Sequence, residues 1–75
     1  NGVKFEIRES TKSSALFRLQ RDVHLELCRS GGYYIFKKGS KFVKINANEV
    51  TDLIKDKKWS SDRTYPYKHL RIANL

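Results

Sequence analysis

Two glycine-containing turns in the middle of the chain constrain the fold more strongly than any other feature of the sequence. Gly31-Gly32 and Gly39-Ser40 separate segments in which apolar and polar residues alternate, as they do in a strand with one buried face. If each dipeptide occupies the centre of a two-residue hairpin turn, the flanking strands can pair in only one antiparallel register. The sequence therefore predicts a three-stranded antiparallel sheet whose strands cover residues 23–28, 33–37 and 41–45.

This register assigns each side chain to one of two faces, because directly opposed residues point to the same side of a sheet. The first turn opposes Leu27 to Phe36, and the second opposes Phe36 to Val43. One face is wholly apolar or aromatic and consists of Val23, Leu25, Leu27, Tyr34, Phe36, Val43 and Ile45. The other face is mixed and consists of His24, Glu26, Cys28, Tyr33, Ile35, Lys37, Phe42 and Lys44. We expect the first face to form the core and the second to point away from it.

The hydrophobic period changes after Ile45, from that of a strand to that of a helix. The apolar residues that follow have helical spacing: Ala47, Val50, Leu53 and Ile54. Asn46 is a suitable N-cap, and Glu49 occupies the capping-box position. We expect the helix to continue through a last turn that contains Lys55, Lys57 and Lys58, where cations favour the helix dipole.

Shorter alternating segments predict further strands at residues 3–8 and 16–20, with a closing strand at 69–72. The polar residues 9–14 are typical of a loop. The predicted fold is therefore α+β: an antiparallel sheet of four to six short strands, with one main helix from the C-terminal half packed on its inner face. A chain of 75 residues corresponds to a single small domain, residues 1–75, which we expect to belong to a larger protein.

The chain is strongly basic, with 16 Lys and Arg against 8 Asp and Glu and a formal net charge of +8. Such a balance favours an anionic partner, with nucleic acid ahead of an anionic membrane surface. No apolar run is long enough to span a bilayer. Cys28 is the one cysteine, so an intrachain disulfide is excluded. We therefore expect an intracellular location, nuclear or nucleoid-associated rather than cytoplasmic.

Basic and aromatic residues interleave in a stretch without acids between Glu26 and Glu49. Lysines pair with phosphates, and exposed rings stack on unpaired bases. The predicted nucleic-acid-binding residues are Arg29, Tyr33, Lys37, Lys38, Lys41, Phe42 and Lys44. A secondary basic cluster beside Trp59, Tyr65 and Tyr67 consists of Lys55, Lys57, Lys58, Arg63 and Lys68. The structural alternative for the mixed face is that the first two strands, the C-terminal segment or a second subunit covers it. The alternative for the secondary cluster is a helix end that is merely solvated.

The sequence offers little for catalysis or metal binding. On a strand, His24 and Cys28 would lie about 13 Å apart along the chain, and no paired Cys or His pattern typical of zinc is present. Gly31-Gly32 is interpreted as a hairpin turn rather than a phosphate-binding loop. We expect no enzymatic activity, no cofactor and no metal, and we interpret Cys28 as a half-buried structural thiol.

Several antiparallel strands followed by one helix resemble a group of small folds that bind single-stranded nucleic acid. These are the Pur-type repeats, the Whirly proteins and the coactivator family built on the positive-cofactor-four domain. The segment from Tyr33 to Ile45, followed by the helix, looks like their last hairpin and helix. In those families the basic and aromatic residues of the sheet contact single strands, and two units pair. The resemblance implies that Tyr33, Lys37, Phe42 and Lys44 are contact residues.

The sequence thus predicts a non-enzymatic nucleic-acid-binding domain that prefers single-stranded DNA or RNA. One alternative is a duplex binder that uses the sheet or the Gly39 hairpin. Another is a protein-interaction or dimerisation module in which the charge only aids solubility and steering. Besides nucleic acid, a second copy of the chain is a candidate partner, as a homodimer. We expect no small-molecule substrate.

Overall fold

The computed structural model describes residues 3–10, 15–73 and 75 of the chain. Its elements are β1 (Phe5–Glu9), β2 (Leu16–Gln20), α1 (Arg21–Ser30), β3 (Tyr33–Lys38), β4 (Lys41–Asn46), α2 (Ala47–Ile54) and β5 (Tyr67–Arg71). The α+β class is confirmed, although the described strands form two sheets, ordered β1-β3-β4 and β2-β5. Of the predicted loop 9–14, Glu9 belongs to β1, and residues 11–14 lie outside the described residues. Neither helix in these ranges has the length and apolar character that a membrane crossing needs.

The predicted strand at residues 23–28 is wrong, because this segment forms helix α1. Its alternating sequence also contains a helical stripe, in which His24 and Leu27 are buried while Leu25 is exposed. Leu25 therefore does not belong to the core, and the predicted pairing of Leu27 with Phe36 does not exist. The place beside β3 is taken by β1, which runs parallel to it with Ile7 opposite Ile35.

The predicted hairpin turn at Gly31-Gly32 is the end of that helix. Gly31 adopts a left-handed conformation with φ of 69°, and its N–H donates to the Cys28 carbonyl oxygen at 3.3 Å. The Gly32 N–H donates to the Leu27 carbonyl oxygen at 2.7 Å, which completes a Schellman cap. A side chain at Gly32 would place its Cβ 2.4 Å from the Lys4 carbonyl oxygen. The glycine pair thus ends α1 and allows the backbone of the segment that leads into β1 to approach closely.

The β3–β4 hairpin agrees with the prediction from the second turn. Tyr34 pairs with Ile45 and Phe36 with Val43, as the Gly39-Ser40 turn requires. Tyr34 and Phe36 are fully buried, and Val43 and Ile45 are half-buried against the core.

Helix α2 begins where it was predicted and ends earlier. Asn46 occupies the N-cap position without a side-chain capping bond, while the Ala47 N–H donates to the Gly32 carbonyl oxygen at 3.0 Å. The helix ends at Ile54, so the lysines expected in its last turn follow it instead. Leu53 does not join the apolar stripe, since 55% of its surface is exposed.

The core lies between the two sheets and the helices. Phe17 of β2 packs against Phe36 of β3 with ring centroids 4.9 Å apart, and Phe36 stacks on Tyr34 at 5.2 Å. The closing strand was predicted two residues too late and pairs with β2 rather than with the main sheet. Because side chains alternate along each strand, each sheet turns one face to the core and the other face outward.

Candidate nucleic-acid interface

The outward side of the three-stranded sheet brings together most of the residues predicted to bind nucleic acid. We call it the outer face. It consists of Phe5, Ile7, Glu9, Tyr33, Ile35, Lys37, Phe42, Lys44 and Asn46, which occupy alternate positions on β1, β3 and β4. Tyr33, Lys37, Phe42 and Lys44 share this face, as the hairpin register predicted. The three residues of β1 were missed because its alternation indicated a strand but not a position beside β3.

Tyr33 is held at the centre of the outer face by neighbours from both flanking strands. The Phe5 ring from β1 stacks on it with centroids 5.5 Å apart and an interplanar angle of 11°. The Lys44 Nζ from β4 lies 4.3 Å from the ring centroid, which is a cation–π contact. Since β1 and β4 flank β3 on opposite sides, the Tyr33 ring is largely engaged within the protein.

Phe42 offers more open ring surface than Tyr33. It lies on the edge strand β4 opposite Lys37, and 68% of its surface is exposed. Phe5 and Ile7 are exposed to 49% and 52%. The outer face therefore combines accessible apolar surface with the two ammonium groups of Lys37 and Lys44.

Glu9, an acid outside the stretch between Glu26 and Glu49, also lies on the outer face. The stretch without acids is continuous only along the chain, and β1 places Glu9 opposite Lys37 in the parallel register. The negative charge of the Glu9 carboxylate lowers the positive electrostatic potential at the Lys37 end of the face.

Three of the predicted binding residues lie elsewhere. Arg29 is in the last turn of α1, where its guanidinium pairs with Glu26 at 3.2 Å, so it is not part of the sheet. Lys38 and Lys41 flank the hairpin turn and point to the opposite side of the sheet from Lys37 and Phe42. The Lys38 Nζ donates to the Leu75 carbonyl oxygen at 3.0 Å. These two lysines add charge at the tip of the hairpin but not on the outer face.

The secondary basic cluster is divided in the folded chain. Lys68 is buried; its Nζ donates to the Ile54 carbonyl oxygen at 3.0 Å and lies 4.5 Å from the Trp59 ring centroid. It stabilises the connection between β5 and α2 and is inaccessible to a polyanion. Lys57 donates to the His69 carbonyl oxygen at 2.6 Å. The remaining members are exposed: Lys55, Lys58 and Arg63.

His24 was predicted on the exposed mixed face, but it is buried in a hydrogen-bonded network that joins α1, β3 and α2. Its Nδ1 lies 3.0 Å from the Tyr34 hydroxyl, and its Nε2 lies 2.8 Å from Thr51 Oγ1. Thr51 Oγ1 donates to the Ala47 carbonyl oxygen, so it accepts from the Nε2–H of His24, whose Nδ1 accepts from Tyr34. Both contacts are thereby satisfied by a neutral imidazole.

The pKa values of this network favour the neutral form. Burial, with a smaller contribution from the cation of Lys68, holds the pKa of His24 below its usual range. Burial raises the pKa of the Tyr34 hydroxyl, which stays protonated and able to donate. The network is thus a polar core element that depends on an uncharged histidine.

The helix also changes the geometry around Cys28. Its Sγ lies 3.5 Å from His24 Nε2 and 3.4 Å from Thr51 Oγ1, so the separation expected on a strand is wrong. Cys28 is half-buried, as predicted. Among residues 3–10, 15–73 and 75, no group of three or more His, Cys, Asp or Glu side chains could hold a metal ion.

Comparisons with protein-family models, with curated proteins and with solved structures find no significant match to the chain.

Proposed function

We propose that the chain binds nucleic acid without catalysis, preferably as single strands, through the outer face of the three-stranded sheet. The observation that supports this most directly is the pairing of Phe42 with Lys37 on one exposed surface. The ring supplies a stacking platform, and the ammonium group supplies a phosphate contact beside it.

The apolar content of the outer face favours single strands over duplex. A duplex has the higher charge density, so phosphate contacts alone would favour it. Stacking requires bases that are already unpaired, and this requirement reverses the preference. Phe42 is the more exposed of the two rings, whereas Tyr33 is engaged by Phe5 and Lys44, so Phe42 contributes more to stacking.

The basic residues make the interaction dependent on salt. If about four phosphates are neutralised, the slope of log K against log salt is about −3 for single strands. Affinity that stays constant from low to physiological salt would contradict an electrostatic contribution.

Fluorescence anisotropy with matched single-stranded and duplex oligonucleotides tests the proposal. We expect tighter binding to the single strand. Phe42→Ala should weaken it by about tenfold to a hundredfold, equivalent to roughly 1–3 kcal/mol, and Tyr33→Ala should weaken it less. Leu53→Ala is the matched control, because it removes an exposed apolar side chain from α2. Equal or tighter binding to duplex, unaffected by Phe42→Ala, would favour the duplex-binding alternative.

A second candidate function is docking of a protein partner or of a second copy on the same face. Exposure of Phe5, Ile7 and Phe42 on one surface favours it, because contiguous apolar surface is typical of interfaces. Native mass spectrometry with and without an oligonucleotide separates the candidates. A dimer that forms without nucleic acid and dissociates on Ile7→Lys would support docking.

A further inference from the structure

The second sheet also has an outward face, and it is basic. Alternation along β2 and β5 directs Phe17, Leu19 and Leu70 into the core. The residues between them point away from it and form what we call the second face: Leu16, Arg18, Gln20, Tyr67, His69 and Arg71. Arg18, His69 and Arg71 are exposed, and none of the three was predicted to bind.

The Arg18 guanidinium lies over an aromatic ring on this face. Its guanidinium carbon lies 3.9 Å from the centroid of the Tyr67 ring. His69, directly opposite Arg18 in the register, contacts the same ring edge-on at 5.2 Å. A guanidinium that stacks on a ring keeps its N–H groups at the rim available for hydrogen bonds, which suits bidentate binding of a phosphate.

The charges around the second face are complementary to a polyanion. The Arg71 guanidinium forms no hydrogen bond or ion pair within the part of the chain that the structure describes. Backbone hydrogen bonds hold the pKa of the Asp62 carboxyl below its usual range, and the Arg18 cation adds a smaller lowering. The Oδ1 of Asp62 accepts at 2.8 Å from the N–H groups of Thr64 and Tyr65. Asp62 Oδ1 thus serves the loop, and among the described residues no ion pair joins Asp62 to Arg18, so the Arg18 N–H groups can bind a further anion.

The apolar content of the second face differs from that of the outer face. The large hydrophobic side chains that are exposed include Phe5, Ile7 and Phe42 of the outer face, but none from β2 or β5. A dry protein interface or insertion into a lipid surface would need such side chains. Two arginines, with no exposed large apolar residue between them, fit a phosphate backbone instead.

The two faces point away from a common core. Phe17 of β2 and Phe36 of β3 pack against each other, so the sheets present their inner sides to the same core and their outer sides to solvent. A nucleic-acid strand bound to one face therefore does not contact the other face unless it passes around the domain.

We propose that the second face is a separate phosphate-binding surface, so that one chain holds two segments of nucleic acid on opposite sides of its core. This inference rests on the proposed function for its ligand class, but it depends on different residues. Arg18 and Arg71 bind phosphates on the second face, and Tyr67 positions the Arg18 guanidinium.

Analytical ultracentrifugation with an oligothymidylate of about eight nucleotides tests the stoichiometry. In a mixture of donor-labelled and acceptor-labelled oligonucleotides, energy transfer then reports whether one protein chain holds two oligonucleotides. We expect one chain to bind two oligonucleotides. Arg18→Gln/Arg71→Gln should weaken the second binding event by about tenfold or more and abolish the energy transfer, while the first event changes by less than about threefold.

Three variants serve as controls. Arg18→Lys/Arg71→Lys keeps the charge but loses the planar guanidinium fork, so it should restore the second event only in part. Lys55→Gln/Lys58→Gln removes the same amount of charge from the exposed residues after α2 and should leave the second event unchanged. Lys37→Gln/Lys44→Gln should weaken the first event, and thermal melts of all variants verify that they fold.

The outcomes separate this inference from the proposed function. The inference is overturned if the wild-type chain binds only one oligonucleotide and the Arg18→Gln/Arg71→Gln variant still binds it. Equal loss of the second event in the Lys55→Gln/Lys58→Gln variant also overturns it, since affinity would then follow net charge. A first event unaffected by Lys37→Gln/Lys44→Gln contradicts the outer face while leaving the test of the second face intact. A complex of two protein chains with two oligonucleotides would indicate that a dimer bridges them, and this result also overturns the inference.

Discussion

The two sides of the β3–β4 hairpin come from one alternating stretch of sequence and have opposite fates. Tyr34 and Phe36 are fully buried on the inner side, whereas Phe42 on the outer side is 68% exposed. Tyr33 and Tyr34 are adjacent in the chain, yet Tyr33 stacks on Phe5 at the surface and Tyr34 bonds to His24 inside. The side of the sheet, and not the residue type, therefore decides whether an aromatic ring stabilises the fold or is available to a ligand.

The largest difference between the two sides should appear in stability. Phe36→Ala removes a ring that packs against Phe17 and Tyr34 and should lower the free energy of unfolding by about 3–5 kcal/mol. A domain of this size is marginally stable, so we expect this variant to be largely unfolded. Phe42→Ala should change stability by less than about 0.5 kcal/mol. Thermal and urea melts measure both, and a harmless Phe36→Ala would show that the assignment of faces is wrong.

A smaller effect should distinguish the inner side by its pH dependence. The folded pKa of His24 is lowered from about 6.5, so between the folded and the unfolded pKa values the folded state binds fewer protons than the unfolded state. The stability that His24 contributes should therefore be fully present above about pH 6.5 and should fall as the pH drops below that value.

Urea midpoints across this pH range measure the effect. His24→Gln should flatten the dependence at a cost in stability, whereas His69→Gln, which alters an exposed histidine, should retain it. An unchanged dependence in His24→Gln would assign it to other groups.

On the outer side, loss of one ammonium group should have a weaker effect than loss of the Phe42 ring. Lys37→Ala removes a single phosphate contact and should make the slope of log K against log salt shallower by about 0.7. Stability should not change, because Lys37 is exposed. Anisotropy titrations at several salt concentrations measure the slope, and an unchanged slope would place the phosphate contacts elsewhere.

The smallest effect expected is a gain in affinity from Glu9→Gln. Glu9 lies opposite Lys37, so removing its charge should tighten binding to a single strand by up to a few fold at low salt. The gain should disappear at high salt, where the pair is screened. Weaker binding in the variant would mean that Glu9 contacts the ligand favourably, for example through a base.

Local sequence was sufficient wherever the turn and the period agreed. The Gly39-Ser40 turn fixed the register of β3 and β4, and with it the shared face of Tyr33, Lys37, Phe42 and Lys44. The beginning of α2 was also predictable, since the period changes at Asn46. Neither element requires a distant segment to specify its register, which explains why these parts of the fold and of the candidate site could be identified.

Local sequence was ambiguous from Val23 to Gly32. Alternation there fits a strand, but a helix buries His24 and Leu27 together, and a glycine pair can end a helix as well as turn a hairpin. What decides between them is non-local: Tyr34 and Thr51 satisfy both nitrogens of His24, and β1 occupies the free side of β3. Those partners are 10 and 27 residues from His24 in the chain.

The sequence by itself thus determined the charge, the α+β class, the main hairpin and the composition of its two sides. Tertiary structure alone decided that the strands divide into two sheets, that Glu9 joins the outer face, that Lys68 is buried, and that Arg18 and Arg71 share a surface. The physical reason is that turns and periodicity arise from neighbours along the chain. The pairing of β1 with β3 and of β2 with β5 instead depends on which distant surfaces bury the most apolar area together.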